Sequence, residues 1–119
     1  MPALTREAVQ AWLDDYVDAW RSYDRDAIGA LFGDDASYAY YPYEEPLRGR
    51  EAIVASWLED RDEPGSWSAA YAPLLISGDR AIATGETTYA DGRRFSNLFV
   101  MRYKDGRCAE FVEWFIEQR

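Results

Sequence analysis

The stretch Trp67–Gln118, WSAAYAPLLISGDRAIATGETTYADGRRFSNLFVMRYKDGRCAEFVEWFIEQ, decides the architecture. Ser77-Gly78-Asp79, Asp91-Gly92 and Asp105-Gly106 are three hairpin signals, because glycine supplies the positive φ that tight turns need. Their glycines are spaced fourteen residues apart. This spacing predicts a meander of four strands: Trp67–Ile76, Arg80–Tyr89, Arg94–Lys104 and Arg107–Gln118. At ~3.3 Å per residue such strands exceed the usual five or six residues and must twist or bend heavily.

Upstream, the period changes from two to 3.6. Val9, Trp12, Leu13, Tyr16, Val17 and Trp20 recur at helical spacing, with Asp14, Asp15 and Asp18 mostly opposite. Thr5 is the expected N-cap, and Glu7 suits the positive end of the helix dipole. A shorter helix follows Asp24, with Ala27, Ile28, Leu31 and Phe32 on one side and Gly33-Asp34-Asp35 as its stop. Ser37–Tyr41 reads as a Tyr-rich strand, Pro42 and Pro46 bracket an acidic loop, and a third helix is expected over about Arg50–Arg61 before Pro64-Gly65. Helices first and antiparallel strands after predict one α+β domain over residues 1–119, its three helices packed in the concavity of a curved antiparallel sheet.

Composition narrows the function. Hydrophobic residues make up 48% and aromatic residues 16% of the chain, enough for a packed core and for lining a cavity or an interface. A net charge of −9 argues against nucleic acid and anionic membranes, the arginine pairs Arg48/Arg50 and Arg93/Arg94 being too local to form a basic face. With no apolar run of membrane length and no leader, and with Cys108 lacking an intrachain partner, a cytoplasmic location is expected. Cys108 borders a hairpin with nothing basic to activate it and reads as inert. Histidine is absent, which removes the usual general base and Ser-His or Cys-His nucleophiles. It also removes most zinc and non-haem iron sites, and Asp14, Asp15 and Asp18 fall on the solvent face of their helix, so no metal and no cofactor are expected. Proton transfer would fall to Asp, Glu, Tyr, Lys or the thiol.

Two stretches carry a resemblance. Asp24, Ala27, Ile28, Leu31, Phe32, Asp34, Asp35 and Ala36, then Pro42 and Leu47-Arg48-Gly49-Arg50-Glu51-Ala52-Ile53, form one. The closing hairpin Met101–Arg107, followed by Glu110 and Glu113, forms the other. Together they resemble the nuclear transport factor 2-like superfamily, in its SnoaL-like, polyketide cyclase-like branch. The resemblance implies a cone whose pocket opens between the first helix, the Tyr-rich strand and the concave sheet face. It also implies homodimers packed through the outer sheet face. The superfamily includes ketosteroid isomerases, epoxide hydrolases, dehydratases, polyketide cyclases and non-enzymatic binders, so the fold does not choose among them.

Against that family the candidate residues read as follows. Tyr16 falls where the isomerases place an oxyanion-stabilising tyrosine, though it equally belongs to the apolar stripe Trp12, Tyr16, Trp20. The isomerases' general-base aspartate falls at Tyr40, and their second acid meets Asn97, Phe99 and Met101, so steroid-type isomerisation is not expected. Glu113 lies near a working aspartate of the hydrolases and cyclases; flanked by Phe111 and Phe115, it is either a desolvated acid or base or a salt-bridged, dimer-facing glutamate. The hydrolases' Arg-x-Asp pair is replaced by Glu86-x-Thr88. Dehydratases of this fold pair tyrosines with histidines that this chain lacks. Alternation puts Tyr38 and Tyr40 on one face and Tyr41 on the other, and the first two join Trp20 and Trp57 as lining for an aromatic or polycyclic ligand, or as core.

Glu113, Tyr16, Tyr40 and Asn97 are thus the candidate catalytic groups, and Trp12, Trp20, Tyr38, Trp57, Phe99, Phe111 and Phe115 the candidate ligand contacts. The expected partner is a small hydrophobic or aromatic molecule. The alternatives are an enzyme acting on a polyketide- or terpenoid-like substrate through Glu113, and a protein-interaction adaptor marked by an exposed apolar patch.

Overall fold

The computed structural model describes residues 4–119. Helix α1 spans Arg6–Ser22, α2 Arg25–Ala30 and α3 Arg50–Glu59. The Thr5 hydroxyl accepts from the Ala8 amide at 3.1 Å, and the Asp24 carboxylate accepts from the Asp26 and Ala27 amides at 2.9 and 3.2 Å, so both expected N-caps are in place. Strand β1 is Phe32–Ala39, β2 Leu47–Arg48, β3 Trp67–Ser77, β4 Arg80–Tyr89, β5 Arg94–Lys104 and β6 Arg107–Glu117. The four-strand meander lies within a residue of its predicted bounds, and Gly78, Gly92 and Gly106 take positive φ at its turns.

Among the described residues one sheet holds six strands in the order β2-β1-β6-β5-β4-β3. The meander is antiparallel, but β1 lies parallel to β6, a pairing that local sequence pattern does not reveal. Its consequence is that the last strand of the chain sits inside the sheet, flanked on both sides. Strand β1 also begins earlier than expected. Phe32, fully buried, pairs with Cys108, and the register then shifts before Ser37. Gly33-Asp34-Asp35 therefore does not end a helix in a loop; it forms a bulge in the strand that turns Asp34 and Asp35 to solvent, where Asp34 pairs with Arg50. The two-residue β2 was not foreseen and caps the edge of β1 at Ser37 and Tyr38.

Helix α1 docks along β3. The Arg6 guanidinium donates to the Pro73 carbonyl at 2.7 Å and the Gln10 amide to the Tyr71 carbonyl at 3.1 Å. Between helix and sheet, Val9, Leu13, Ile28, Phe32, Ile53, Phe99, Met101 and Phe111 form a core with at most 1% exposure. Aromatic rings dominate its upper part: Phe111 stacks on Tyr38 with centroids 4.6 Å apart and planes at 9°, and on Tyr16 at 5.6 Å and 17°.

Gly85 sets how closely the sheet's concave residues approach one another. It pairs with Tyr71 on β3 and with Asn97 on β5. A Cβ there would overlap the Ala70 carbonyl and lie 2.5 Å from the Tyr71 ring. Gly85→Ala is expected to destabilise the fold by about 1–3 kcal/mol, the usual cost of overpacking, read as a lower urea midpoint with an unchanged m-value.

Candidate functional site

Where α1 and α3 diverge from the curved sheet they leave a cavity of about 580 Å³. Its floor is the aromatic core just described, and its walls come from every layer: Tyr16 and Trp20 from α1, Tyr38 from β1, Ser56 and Trp57 from α3, and Asn97, Glu113 and Phe115 from β5 and β6. Inward and outward alternation along long strands puts Asn97, Phe99 and Met101 on one face, and Phe111, Glu113 and Phe115 on the facing stretch of β6. The deeper members of each set fill the core and the shallower ones face the cavity.

That gradient sorts the candidate residues. Tyr16, Tyr40, Asn97 and Glu113 all line the cavity, as do Trp20, Tyr38, Trp57 and Phe115. Trp12, Phe99 and Phe111 do not. Phe99 and Phe111 are wholly buried, and Trp12 is fixed in the core by its indole N–H, which donates to the Leu31 carbonyl at 3.0 Å. They support the floor rather than meet a ligand. Tyr41, expected on the opposite face, lines the cavity as well, because β1 ends at Ala39 and strict alternation ends with it; its ring packs 5.0 Å from Phe115. The Glu86-x-Thr88 pair faces outward, with both residues exposed.

Glu113 is half-buried at the cavity wall. Desolvation pushes its carboxyl up to about 7, against the opposing effect of a hydrogen bond from the Asn97 amide nitrogen to Oε2 at 3.2 Å. Asn97 is in turn held by Thr87, whose hydroxyl donates to Oδ1 at 2.9 Å, and Thr87 contacts the Tyr71 hydroxyl at 2.6 Å. Tyr71 and Thr87 line the cavity and were not singled out from the sequence. Their inward positions on β3 and β4 follow from alternation once the register with Asn97 is known.

Tyr16, Tyr38 and Tyr40 stay neutral. Burial pushes the Tyr16 and Tyr38 hydroxyls well above the ordinary phenol range, and the two are bonded to each other at 3.3 Å. Tyr40 is pushed up in the same way and meets the Ser56 hydroxyl at 2.9 Å. The Trp57 indole N–H is buried without a partner among the described residues.

At the rim the Trp20 N–H donates to Asp62 at 3.0 Å, and its ring stacks on Trp67 with centroids 3.5 Å apart. Arg93, paired with Asp91 at 2.9 Å, lies over the Tyr89 ring at 4.5 Å. Cys108 lies apart from the cavity, wholly buried, its thiol pushed up by desolvation. Among the described residues no three His, Cys, Asp or Glu side chains cluster as a metal site would need, and no helix is long and apolar enough to cross a membrane.

The SnoaL-like domain family matches residues 13–111, nearly the whole chain. The chain belongs to that family. No match was found among curated proteins. Among solved structures, the SnoaL-like protein is similar to a putative ketosteroid isomerase from Kribbella flavida, with 22% identity, a TM-score of 0.74, and coverage of 96% of this chain and 82% of that one. It is also similar to an NTF-2-like protein of unknown function from Burkholderia xenovorans, with 20% identity, a TM-score of 0.75, and coverage of 95% and 86%. An LEH-like epoxide hydrolase from M. tuberculosis is similar at 16% identity and a TM-score of 0.67, over 93% and 84%. At these identities the likeness establishes the fold.

Chemically, the site offers one carboxyl that changes charge near neutral pH, facing a ring of neutral phenols. The unfolded carboxyl titrates near 4.5 and the folded one near 7. Between those values the unfolded chain gives up a proton that the folded chain keeps, so the contribution of Glu113 to stability falls as pH rises through this window and is constant above it. Glu113→Gln should therefore match the wild type in stability below pH 4 and exceed it above pH 7 by up to roughly 3 kcal/mol, measured by urea unfolding across the range.

Proposed function

We propose that this SnoaL-like protein binds a small hydrophobic or aromatic molecule in the cavity beneath its curved sheet. The observation that carries this reading is the cavity itself: about 580 Å³, walled by tyrosine and tryptophan, with the half-buried Glu113 carboxyl on its sheet side. Ligand sites span ~300–1,000 Å³ and combine apolar walls with a few placed polar groups. Isothermal titration with 2-naphthol as a neutral bicyclic probe should give saturable binding. Ser56→Phe, which fills the cavity from α3, should abolish it while leaving the circular dichroism spectrum unchanged. Equal binding by both proteins would remove the cavity from consideration.

A second reading, an enzyme acting on a polyketide- or terpenoid-like substrate, is favoured by the same carboxyl. A group that titrates near 7 serves as acid or base at neutral pH, and Tyr16, Tyr40 and Asn97 stand on the same cavity as hydrogen-bond partners. The chemistry of the isomerase and hydrolase neighbours is not carried over, because Tyr40 stands at the isomerase base position and Glu86 and Thr88 face away from the cavity.

We also propose a homodimer through the outer sheet face. Ile82, Val100 and Val112 stand in one cross-strand row on that face, with Leu98 and Trp114 in the next, and Trp114 is 40% and Ile116 68% exposed. Contiguous apolar area of this kind marks an interaction surface. Sedimentation equilibrium at micromolar concentration should report a dimer, and Trp114→Asp should shift it to monomer with the fold retained. A wild-type monomer would instead leave the patch to a different protein, as in the adaptor reading. We place the protein's action in the cytoplasm, where a lone thiol stays reduced.

A further inference from the structure

A single line of side-chain hydrogen bonds crosses four strands on the concave face: Tyr71 on β3, Thr87 on β4, Asn97 on β5 and Glu113 on β6. Each hydroxyl has one proton to donate. Because Thr87 donates to Asn97 Oδ1, its contact with Tyr71 at 2.6 Å requires the Tyr71 hydroxyl to donate to Thr87. Asn97, with its oxygen engaged by Thr87, turns its NH₂ to Glu113. All bonds therefore point toward Glu113, the direction that suits an ionised carboxylate, which only accepts.

A protonated Glu113 has a proton to place, and Asn97 is its hydrogen-bond partner in the structure. The Asn97 carboxamide has nearly the same shape when turned by half a rotation. In that orientation Oδ1 accepts from the Glu113 hydroxyl and the NH₂ donates to Thr87. The Thr87 hydroxyl then turns to donate to Tyr71, whose own O–H can no longer point at Thr87. No covalent bond breaks along the line; one proton enters from solvent at Glu113 and three donors rotate. We propose that Tyr71, Thr87, Asn97 and Glu113 form one reversible hydrogen-bond chain, in which protonation of Glu113 turns the Tyr71 hydroxyl from a donor to Thr87 into a donor to the cavity. Tyr71 is then a specificity-determining residue. It accepts from a ligand hydroxyl or amine when Glu113 is ionised, and donates to a ligand carbonyl or ether when Glu113 is protonated, so that binding of an acceptor-bearing ligand takes up one proton.

Gly85 makes the chain sterically possible. It sits between Tyr71 and Asn97 in the sheet without a side chain to separate them. The other groups that sense the charge of Glu113 are Tyr16 from α1, Tyr38 and Tyr40 from the β1 side and Tyr89 from β4, all phenols pushed above their ordinary range by burial. Asp60 and Asp62 after α3 and Arg93 in the β4–β5 turn line the same cavity.

The inference rests on Glu113 carrying its proton near neutral pH, as the enzymatic reading requires, and the experiment separates the two. The Glu113 side-chain carboxyl is followed by ¹³C NMR against pH in the ligand-free protein. Tyr71→Phe removes the Tyr71–Thr87 bond in both arrangements, but in the ionised one the Thr87 proton is still donated to Asn97, whereas in the reversed one it is left without an acceptor. The expected result is a Glu113 midpoint lowered by about one pH unit, a tenfold loss in proton affinity. Simple loss of a polar neighbour would raise the midpoint instead. In a Thr87→Val background Tyr71→Phe should have no further effect, and Thr87→Ser should behave as wild type. A raised wild-type midpoint that Tyr71→Phe leaves unchanged or raises overturns the chain alone, because the protonated acid then keeps its carbonyl oxygen on Asn97. A wild-type midpoint near 4.5 removes the proton-carrying role of Glu113 and the chain with it.

Discussion

The parallel docking of β1 against β6 is the constraint on which the site depends. It takes the C-terminal strand of the meander, which would otherwise be an edge, and places it between β1 and β5. Tyr38 and Phe111 become direct register partners, and their rings stack nearly parallel at 4.6 Å. Two residues further along β6, Glu113 points to the same face as Phe111, past the end of the packed core, where Tyr38 and Tyr40 close over it from the β1 side. Without this pairing the carboxyl would stand at a sheet edge in water, at an ordinary carboxylate value.

The cavity is a consequence of strand length. Ten- and eleven-residue strands exceed what α1 can cover, so their inward side chains divide into a part packed by helices and a part left facing space. Desolvation by the aromatic walls then disfavours charge on Glu113, and the amide of Asn97 partly restores it. The outcome is a carboxyl balanced near neutrality, with hydroxyls on several sides whose own ionisation is suppressed by the same burial.

Much of this was legible in the sequence. The three Asp-Gly or Gly-Asp turns and the apolar stripe of α1 set the element order, and alternation put Glu113 on one strand face with Phe111 and Phe115, leaving open whether it was a desolvated acid or a salt-bridged, dimer-facing glutamate. What was not legible is non-local. Depth along a strand separates Phe111 from Phe115, and sequence period is blind to depth; so Trp12, Phe99 and Phe111 read as lining although they are core. Tyr71 and Thr87 escaped notice because their importance comes from strand register across β3 to β5, set in part by a glycine whose missing side chain leaves no pattern. The bulge at Asp34-Asp35 mimicked a helix stop for a related reason: exposed acids after an apolar run look the same in a loop and in a strand that turns outward.

The fold encloses a desolvated carboxyl at the wall of an aromatic cavity. Infrared difference spectra between wild type and Glu113→Gln, recorded across pH, isolate the carboxyl stretch of this one residue. A protonated-carboxyl band should persist through pH 6 and be lost with a midpoint near 7; a midpoint near 4.5 would show Glu113 to be solvated and would contradict its burial at the cavity wall.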